Sequence, residues 1–246
     1  MYARFAAVYD SLMAGIDRDE WAKYLLALLP GGRLCIADVA CGTGALTLPL
    51  ARAGHALTGI DASAEMLAVA SEKARLARLN IPFAHQRMER MKLHRKADAV
   101  VCACDGVNYL LSTKALGAFF SAARENLKPG GKLLFDVSSR YKLARILGNN
   151  TFAEDEEGAA YIWKNEYDEV SARIRMDVTF FERMPDGRFE RFAETHAQRA
   201  HSQRELEGAL ARAGFCDIRV YEAFTSETPK KTSERLQFSA SVPERG

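Results

Sequence analysis

Residues 34–44, LCIADVACGTG, constrain the fold of this chain more than any other stretch. Leu34, Cys35, Ile36, Ala37 and Val39 form the apolar run that a strand buried on both faces of a parallel sheet requires. The run stops at glycines. Gly42 and Gly44 permit a tight turn with no Cβ in the way, and residues 45–53 (ALTLPLARA) carry leucines at helical spacing. The backbone amides of a helix N-terminus then face the turn, an arrangement that suits a nucleotide-type ligand.

Asp61 narrows the ligand. Residues 56–60 (ALTGI) read as a second buried strand, and Asp61 follows Gly42 at about the 20-residue distance at which an acid meets ribose hydroxyls in doubly wound folds. A carboxylate there repels a 2′-phosphate. The dinucleotide fingerprint needs a third glycine where this chain has Thr47, which weakens the case for a pyrophosphate. Asp38 ends the first strand with a negative charge, where a cationic ligand end can lie. An acid, then A-C-G-T-G, then a ribose-binding Asp suits S-adenosylmethionine, which has a ribose, an ammonium and a sulfonium but no phosphate.

In these residues the chain resembles the class I S-adenosylmethionine-dependent methyltransferases. The resemblance implies a Rossmann-like α/β fold with a seven-stranded sheet, mostly parallel and closed by an antiparallel hairpin. It also assigns Asp38, Ala40, Cys41, Gly42, Gly44, Asp61 and Ala62 to the cofactor.

The 246 residues suffice for one large domain or for a domain with an insertion. With 34 Lys plus Arg against 32 Asp plus Glu, the formal charge is +2, so global electrostatics name no partner. Five cysteines, an odd number and mostly in apolar runs, argue for reduced thiols and a cytoplasmic protein. Cys102-x-Cys104 lacks a second pair at zinc spacing, so these read as buried strand cysteines and no metal is expected. No run approaches the ~18–20 apolar residues of a membrane helix, and no secretory leader is legible at the N-terminus.

Residues 1–30 carry two amphipathic segments, the second with Asp17 or Asp19 as its cap and 30–32 (PGG) as its stop. The first, Y-x-x-F-A-x-x-Y-D-x-L-M, resembles the N-terminal segment that closes over the cofactor in small bacterial methyltransferases. On that resemblance Tyr9 covers the cofactor, while Tyr2 and Phe5 read as packing. Ser63 is placed to cap a helix running to about Leu79. Met66, one turn into it, packs on the adenine by resemblance, or fills the core by residue type.

Residues 82–86 read as the third strand. There the family pattern places an acid before Met, to accept a hydrogen bond from the adenine amine. This chain has Arg87-Met88, and an arginine cannot accept that bond. Either a backbone carbonyl or Glu89 reads the amine, or the pocket differs; the backbone of Arg87 and Met88 remains a candidate lining. Residues 71–96 hold eight Lys/Arg, a flank that leaves nucleic acid open although a solvated helix face explains it without aromatic platforms.

Residues 97–104 (ADAVVCAC) read as the central fourth strand, ending at Cys104 where donor and acceptor should meet. The following D-G-V-N-Y-L resembles the family's D-x-x-N-Y-L turn. Asp105 is a candidate for holding a cationic or hydroxyl-bearing acceptor, or a cap of the next turn. A helix over 113–127, a K-P-G-G stop and a strand over 132–137 complete this half.

From residue 138 the pattern alternates with period two. Residues 139–200 read as a three-stranded antiparallel insert serving as a substrate lid, with 1–138 and 201–246 forming the cofactor-binding domain. On the last insert strand Glu194, His196 and Gln198 share a face. His196 with Glu194 is the candidate acid–base pair, because a histidine near neutral pKa can take a proton from an acceptor as it is methylated. A polar exposed face is the alternative. A helix over 202–213 and strands over 216–221 and 236–242 close the fold.

The expected function is methyl transfer to an N or O atom of a small acceptor. Rivals are a non-catalytic or RNA-associated protein on the same fold, and a nicotinamide dehydrogenase. The acceptor and the oligomeric state are not encoded in any motif.

Overall fold

The computed structural model describes residues 17–156, 158–184 and 186–244. The expected N-terminal cover, with Tyr2, Phe5 and Tyr9, lies outside the described residues. Helix α1 (Arg18–Ala27) begins where the Asp17 carboxylate accepts the backbone N–H groups of Asp19 and Glu20, and it buries Trp21, Ala22 and Leu25. Then follow β1 (Cys35–Val39), α2 (Thr47–Arg52), β2 (Ala56–Asp61), α3 (Ala64–Leu76), β3 (Phe83–His85), β4 (Ala97–Cys102), α4 (Thr113–Asn126) and β5 (Leu127–Ser138). A π-helical turn (Lys142–Leu147) leads to β6 (Thr151–Glu156), β7 (Ala159–Asp168), β8 (Arg173–Arg183) and β9 (Phe189–Arg199). Helix α5 (Gln203–Arg212), β10 (Cys216–Glu222) and β11 (Arg235–Ser241) end the chain.

The main sheet has the order β10-β11-β5-β4-β1-β2-β3. All pairs are parallel except those made by β11, as the seven-stranded class I arrangement requires. Strand order reverses between β1 and β4, and a crevice opens beyond the carboxyl ends of strands at such a point. One face of the sheet packs Phe119, Phe120, Leu206 and Leu210 from α4 and α5; the other packs Trp21, Leu25 and Leu50 from α1 and α2. Phe135 and Phe238, opposite each other on β5 and β11, stack with centroids 4.7 Å apart.

Two expectations are corrected here. The K-P-G-G segment, read as a helix stop before the fifth strand, belongs to β5: Gly130 N–H donates to Val242 O at 3.1 Å and Val242 N–H to Gly131 O at 2.8 Å, so the segment is paired although Gly130 keeps a positive φ of 72°. The insert has four strands, in the order β6-β7-β8-β9. Its additional strand β6, TFAEDE, carries three acidic residues and so lacks the alternation that marks a half-buried strand.

The inner face of the second sheet is covered. Tyr167, Ile174 and Met176 pack with Leu143 of the π-helical turn and with Ala200. The Asn108 side chain, fully buried, fastens the two sheets together. It donates to Ser138 O at the end of β5 and to Arg199 O at the end of β9, at 3.1 and 3.0 Å. Strand β9 thereby lies over the turn that follows β4. Among the described residues, no helix is long and apolar enough to cross a membrane.

Candidate functional site

A cavity of about 500 Å³ opens at the switch between β1 and β4. Its walls come from the turn after β1, the start of α3, the segment after β3, the turn after β4, and β9.

The glycine turn is built as its sequence requires. Gly42 and Gly44 both adopt positive φ, at 53° and 74°. A Cβ on Gly44 would lie 2.9 Å from Leu48 Cδ1 and 3.2 Å from Ala70 Cβ, so this glycine lets α2 and α3 approach the turn. A Cβ on Gly42 would meet nothing within 4 Å, because that side faces the cavity. Its backbone N–H donates to Asp61 Oδ2 at 2.8 Å, while Asp61 Oδ1 accepts the N–H of Ser63 at 2.8 Å. Two backbone donors thus fix both oxygens of Asp61, leaving lone pairs for further donors in the cavity. Ser63 caps α3 by accepting the Met66 N–H at 3.1 Å, which places Met66 in the cavity wall.

Asp38 ends β1 at the cavity floor and is 2% exposed. Burial pushes its carboxyl up to about 7, opposed by a hydrogen bond from Thr47 Oγ1 at 2.5 Å. Thr47, at the position where a dinucleotide fingerprint would place glycine, instead orients this acid. Ala40, Cys41 and Ala62 line the same walls. Ala40, Cys104 and Asp105 all adopt left-handed backbone, with φ of 56°, 55° and 63°, where the strands give way to cavity loops.

Arg87 and Met88 both line the cavity. The Arg87 side chain is largely exposed and pairs with Glu89 at 2.8 Å. Glu89 is the more buried partner and also faces the cavity. An acceptor for an amine is therefore present two residues after the position the family pattern uses. Arg75 of the basic flank pairs likewise with Glu72 at 2.7 Å.

Cys104 lines the cavity, whereas the Asp105 carboxylate is engaged outside it. Asp105 Oδ1 accepts from Ser138 Oγ at 2.9 Å and from Arg235, and Arg235 also pairs with Asp136. It makes no side-chain cap of the following turn. Arg235 lies 5.2 Å from the Trp21 ring centroid, so one partly buried cation ties β11, β5, the turn after β4 and α1 together. Sequence reading missed Arg235 because its partners lie 130 and 99 residues away.

His196 of β9 reaches the cavity beside Tyr109, ring centroids 6.1 Å apart at 84°. Burial lowers its pKa, so the imidazole is neutral near pH 7. Glu194, two residues back on the same face, is 5% exposed and Gln198 is 6% exposed, so this is a buried face and not a solvated one. Burial raises the Glu194 carboxyl. Among the described residues, no group of three or more His, Cys, Asp or Glu forms a metal site, and the five cysteines are free thiols.

Residues 36–131 match the model of a family described as a methyltransferase domain. The chain is 39% identical to YqeM of Bacillus subtilis (strain 168), a protein whose name assigns it to the methyltransferases without an acceptor, over 98% of this chain and 96% of that one. It is 27% identical to the dTDP-3-amino-3,4,6-trideoxy-alpha-D-glucopyranose N,N-dimethyltransferase of Streptomyces venezuelae, over 85% and 89% of the two chains. Among solved structures, an S-adenosylmethionine-dependent methyltransferase from Clostridium acetobutylicum superposes with a TM-score of 0.88 at 30% identity, covering 98% of this chain and 99% of that chain.

Proposed function

The chain belongs to the S-adenosylmethionine-dependent methyltransferases, and on that premise we propose that Asp61 and Asp38 hold the two ends of the donor in the cavity between β1 and β4. The observation that carries this assignment is the pair of carboxylates in one cavity, set apart by an open glycine turn. Asp61, already fixed by two backbone donors, has lone pairs left for ribose hydroxyls. Asp38 is buried with no cationic partner among the described residues and suits the ammonium end. The space in front of Gly42 admits the body of the ligand, and the one arginine among the described lining residues, Arg87, is paired with Glu89.

Met66 and Met88 supply apolar contact for the adenine, and Glu89 is positioned to accept from its amine. The backbone of Ala40, Cys41, Gly44, Ala62, Arg87 and Cys104 completes the walls. Tyr9 remains a proposed cover, on the sequence resemblance alone.

S-adenosylmethionine supplies an electrophilic methyl group on a sulfonium that is already a leaving group. The protein therefore has to align an acceptor and exclude water, which together offset up to ~7–11 kcal/mol of a bimolecular barrier. The acceptor is a small molecule whose nitrogen or oxygen approaches past Tyr109 and His196. When that atom carries a proton, a ring nitrogen of neutral His196 takes it as the new bond forms. Glu194 lies too far behind His196 in the face to line the cavity, and its part is to hold the acceptor or orient the imidazole. Asp105, paired with Arg235, positions the turn that carries Cys104 and Tyr109.

A crystal structure with S-adenosylhomocysteine tests the assignment. Ribose hydroxyls are expected within hydrogen-bond distance of Asp61 and the amino group beside Asp38. Density for the product anywhere else contradicts it.

A further inference from the structure

The amino ends of the parallel strands, at the end of the main sheet opposite the cavity, gather cations from segments far apart in sequence. Arg33 precedes β1, Arg52 closes α2 ahead of β2, Arg78 lies between α3 and β3, and Arg95 and Lys96 lead into β4. All five are exposed, and none has an ion-pair partner among the described residues. They come together because each segment that leaves the cavity end of one strand returns here to enter the next. Cys35 N–H donates to Asp98 Oδ2 at 2.8 Å and Ile36 stands beside Ala99, so the same parallel register sets Arg33 beside Lys96. Leu34 N–H donates to His55 Nδ1 at 3.2 Å, which brings the entry of β2 alongside. In the strand order β4-β1-β2-β3 the cations form a row of roughly 14 Å, about three strand spacings.

The basic flank read from the sequence as a solvated helix face therefore divides. Arg75 is paired on α3, whereas Arg78, Arg95 and Lys96 join cations from outside the flank. By contrast, Arg140, Arg175 and Arg219 each hold an acid of their own. Asp98, the acid within the row, is already held by Lys128 at 2.7 Å. Two further acids at this end, Glu125 near the end of α4 and Glu244 beside Gly130, stand toward β5. The whole chain has a formal charge of only +2, so the excess is local. Like charges within a Debye length repel one another, and a polyanion relieves that repulsion. A line of cations suits a line of phosphates: at about 3.4 Å per nucleotide of a duplex strand, roughly 14 Å spans about four. Among the described residues, Leu76 is the one large apolar side chain exposed at this end, so stacking on bases and insertion into a lipid surface both lack the groups they need.

We propose that this row binds the phosphate backbone of a nucleic-acid duplex without reading its sequence. The contacts are charge-assisted hydrogen bonds from guanidinium and ammonium groups to phosphate oxygens. The six residues of β4 set the row about 20 Å from the cavity, so the duplex is a tether and not the methyl acceptor. Duplex binding at this end does not require the donor site.

The test is fluorescence anisotropy of the purified chain with short fluorescein-labelled RNA and DNA duplexes of one sequence. Micromolar-range binding at about 50 mM KCl is expected, with affinity falling roughly 100-fold by about 200 mM, as about four phosphate contacts require. Either duplex behaving so supports the row, and the tighter of the two names the source. Arg33→Glu with Lys96→Glu is expected to lose at least about tenfold. Arg183→Glu with Lys231→Glu, the same change in net charge on exposed residues elsewhere, is expected to lose less than about threefold. Binding of neither duplex, binding insensitive to salt, or equal losses in the two double variants overturns the proposal. Binding to phosphatidylserine vesicles but to neither duplex assigns this end to a lipid surface and overturns it as well. The salt dependence is read on the unaltered chain, so it decides even where a variant fails to fold. Failure of the chain to bind S-adenosylhomocysteine would remove the donor assignment and leave the duplex site standing.

Discussion

Asn108 and Ser138 exchange a reciprocal pair of hydrogen bonds: the amide Nδ2 donates to Ser138 O at 3.1 Å, and Ser138 N–H donates back to Oδ1 at 3.0 Å. Nδ2 also donates to Arg199 O at 3.0 Å. One fully buried side chain thus spans the turn after β4, the end of β5 and the end of β9. Asn108→Ala leaves these groups unpaired out of water, at a cost of about 1–3 kcal/mol per group. Thermal unfolding is expected to show a Tm drop of several degrees, and Asn108→Asp, which keeps the shape but loses both donated bonds, is expected to be no better.

The two turn glycines separate fold from ligand. Gly44→Ala forces a methyl group against Leu48 and Ala70 at a positive φ, so its effect is expected in the melting temperature, by about 1–3 kcal/mol. Gly42→Ala meets no atom and points into the cavity, so beyond about 1–2 kcal/mol of backbone strain its effect is expected in donor affinity. Denaturant melts and calorimetric titrations of the pair distinguish the two roles.

Asp38 predicts a pH dependence with a definite sign. Burial raises its carboxyl from 3.8 to about 7, so the empty folded chain holds a proton that the unfolded chain has released over that interval. Stability of the empty chain therefore falls as pH rises between about 4 and 7. Asp136, pushed up to about 6 by burial against the opposing charge of Arg235, adds a contribution of the same sign. A bound ammonium favours the carboxylate, so binding S-adenosylmethionine near pH 6 is expected to release a proton. Calorimetry in buffers of different ionisation enthalpy reads that proton, and Asp38→Asn abolishes it.

Arg235 neutralises two carboxylates in a buried cluster. Arg235→Ala strands Asp105 and the fully buried Asp136, and the loss expected for an uncompensated buried charge is about 3–5 kcal/mol. Arg235→Ala combined with Asp136→Leu is expected to recover part of that loss in equilibrium unfolding, since the remaining charge mismatch is smaller.

What was legible in the sequence was local. The glycine turn, Asp61 and the Ser63 cap are each written in a few consecutive residues whose backbone requirements leave little choice, and the structure places them on one cavity. The four-stranded insert was only partly legible because the second half of β6 is a run of acidic residues and the strand is held by pairing to β7. The K-P-G-G segment contains ordinary turn residues that pairing with Val242, just beyond β11, joins to the strand. Arg235 carries no local signal, since its meaning comes from neighbours brought by topology. Arg87 is informative in the same way: the family position is lost, and the tight turn over Met88–Arg90 after β3 sets Glu89 beside the cavity instead.

The central claim is that Asp61 holds the ribose of S-adenosylmethionine, and calorimetric titration of the purified chain and of Asp61→Ala with that compound tests it most directly. Micromolar-range binding by the unaltered chain is expected, with a loss of at least about tenfold, some 1.4 kcal/mol or more, in the variant. An unchanged affinity in Asp61→Ala would contradict it.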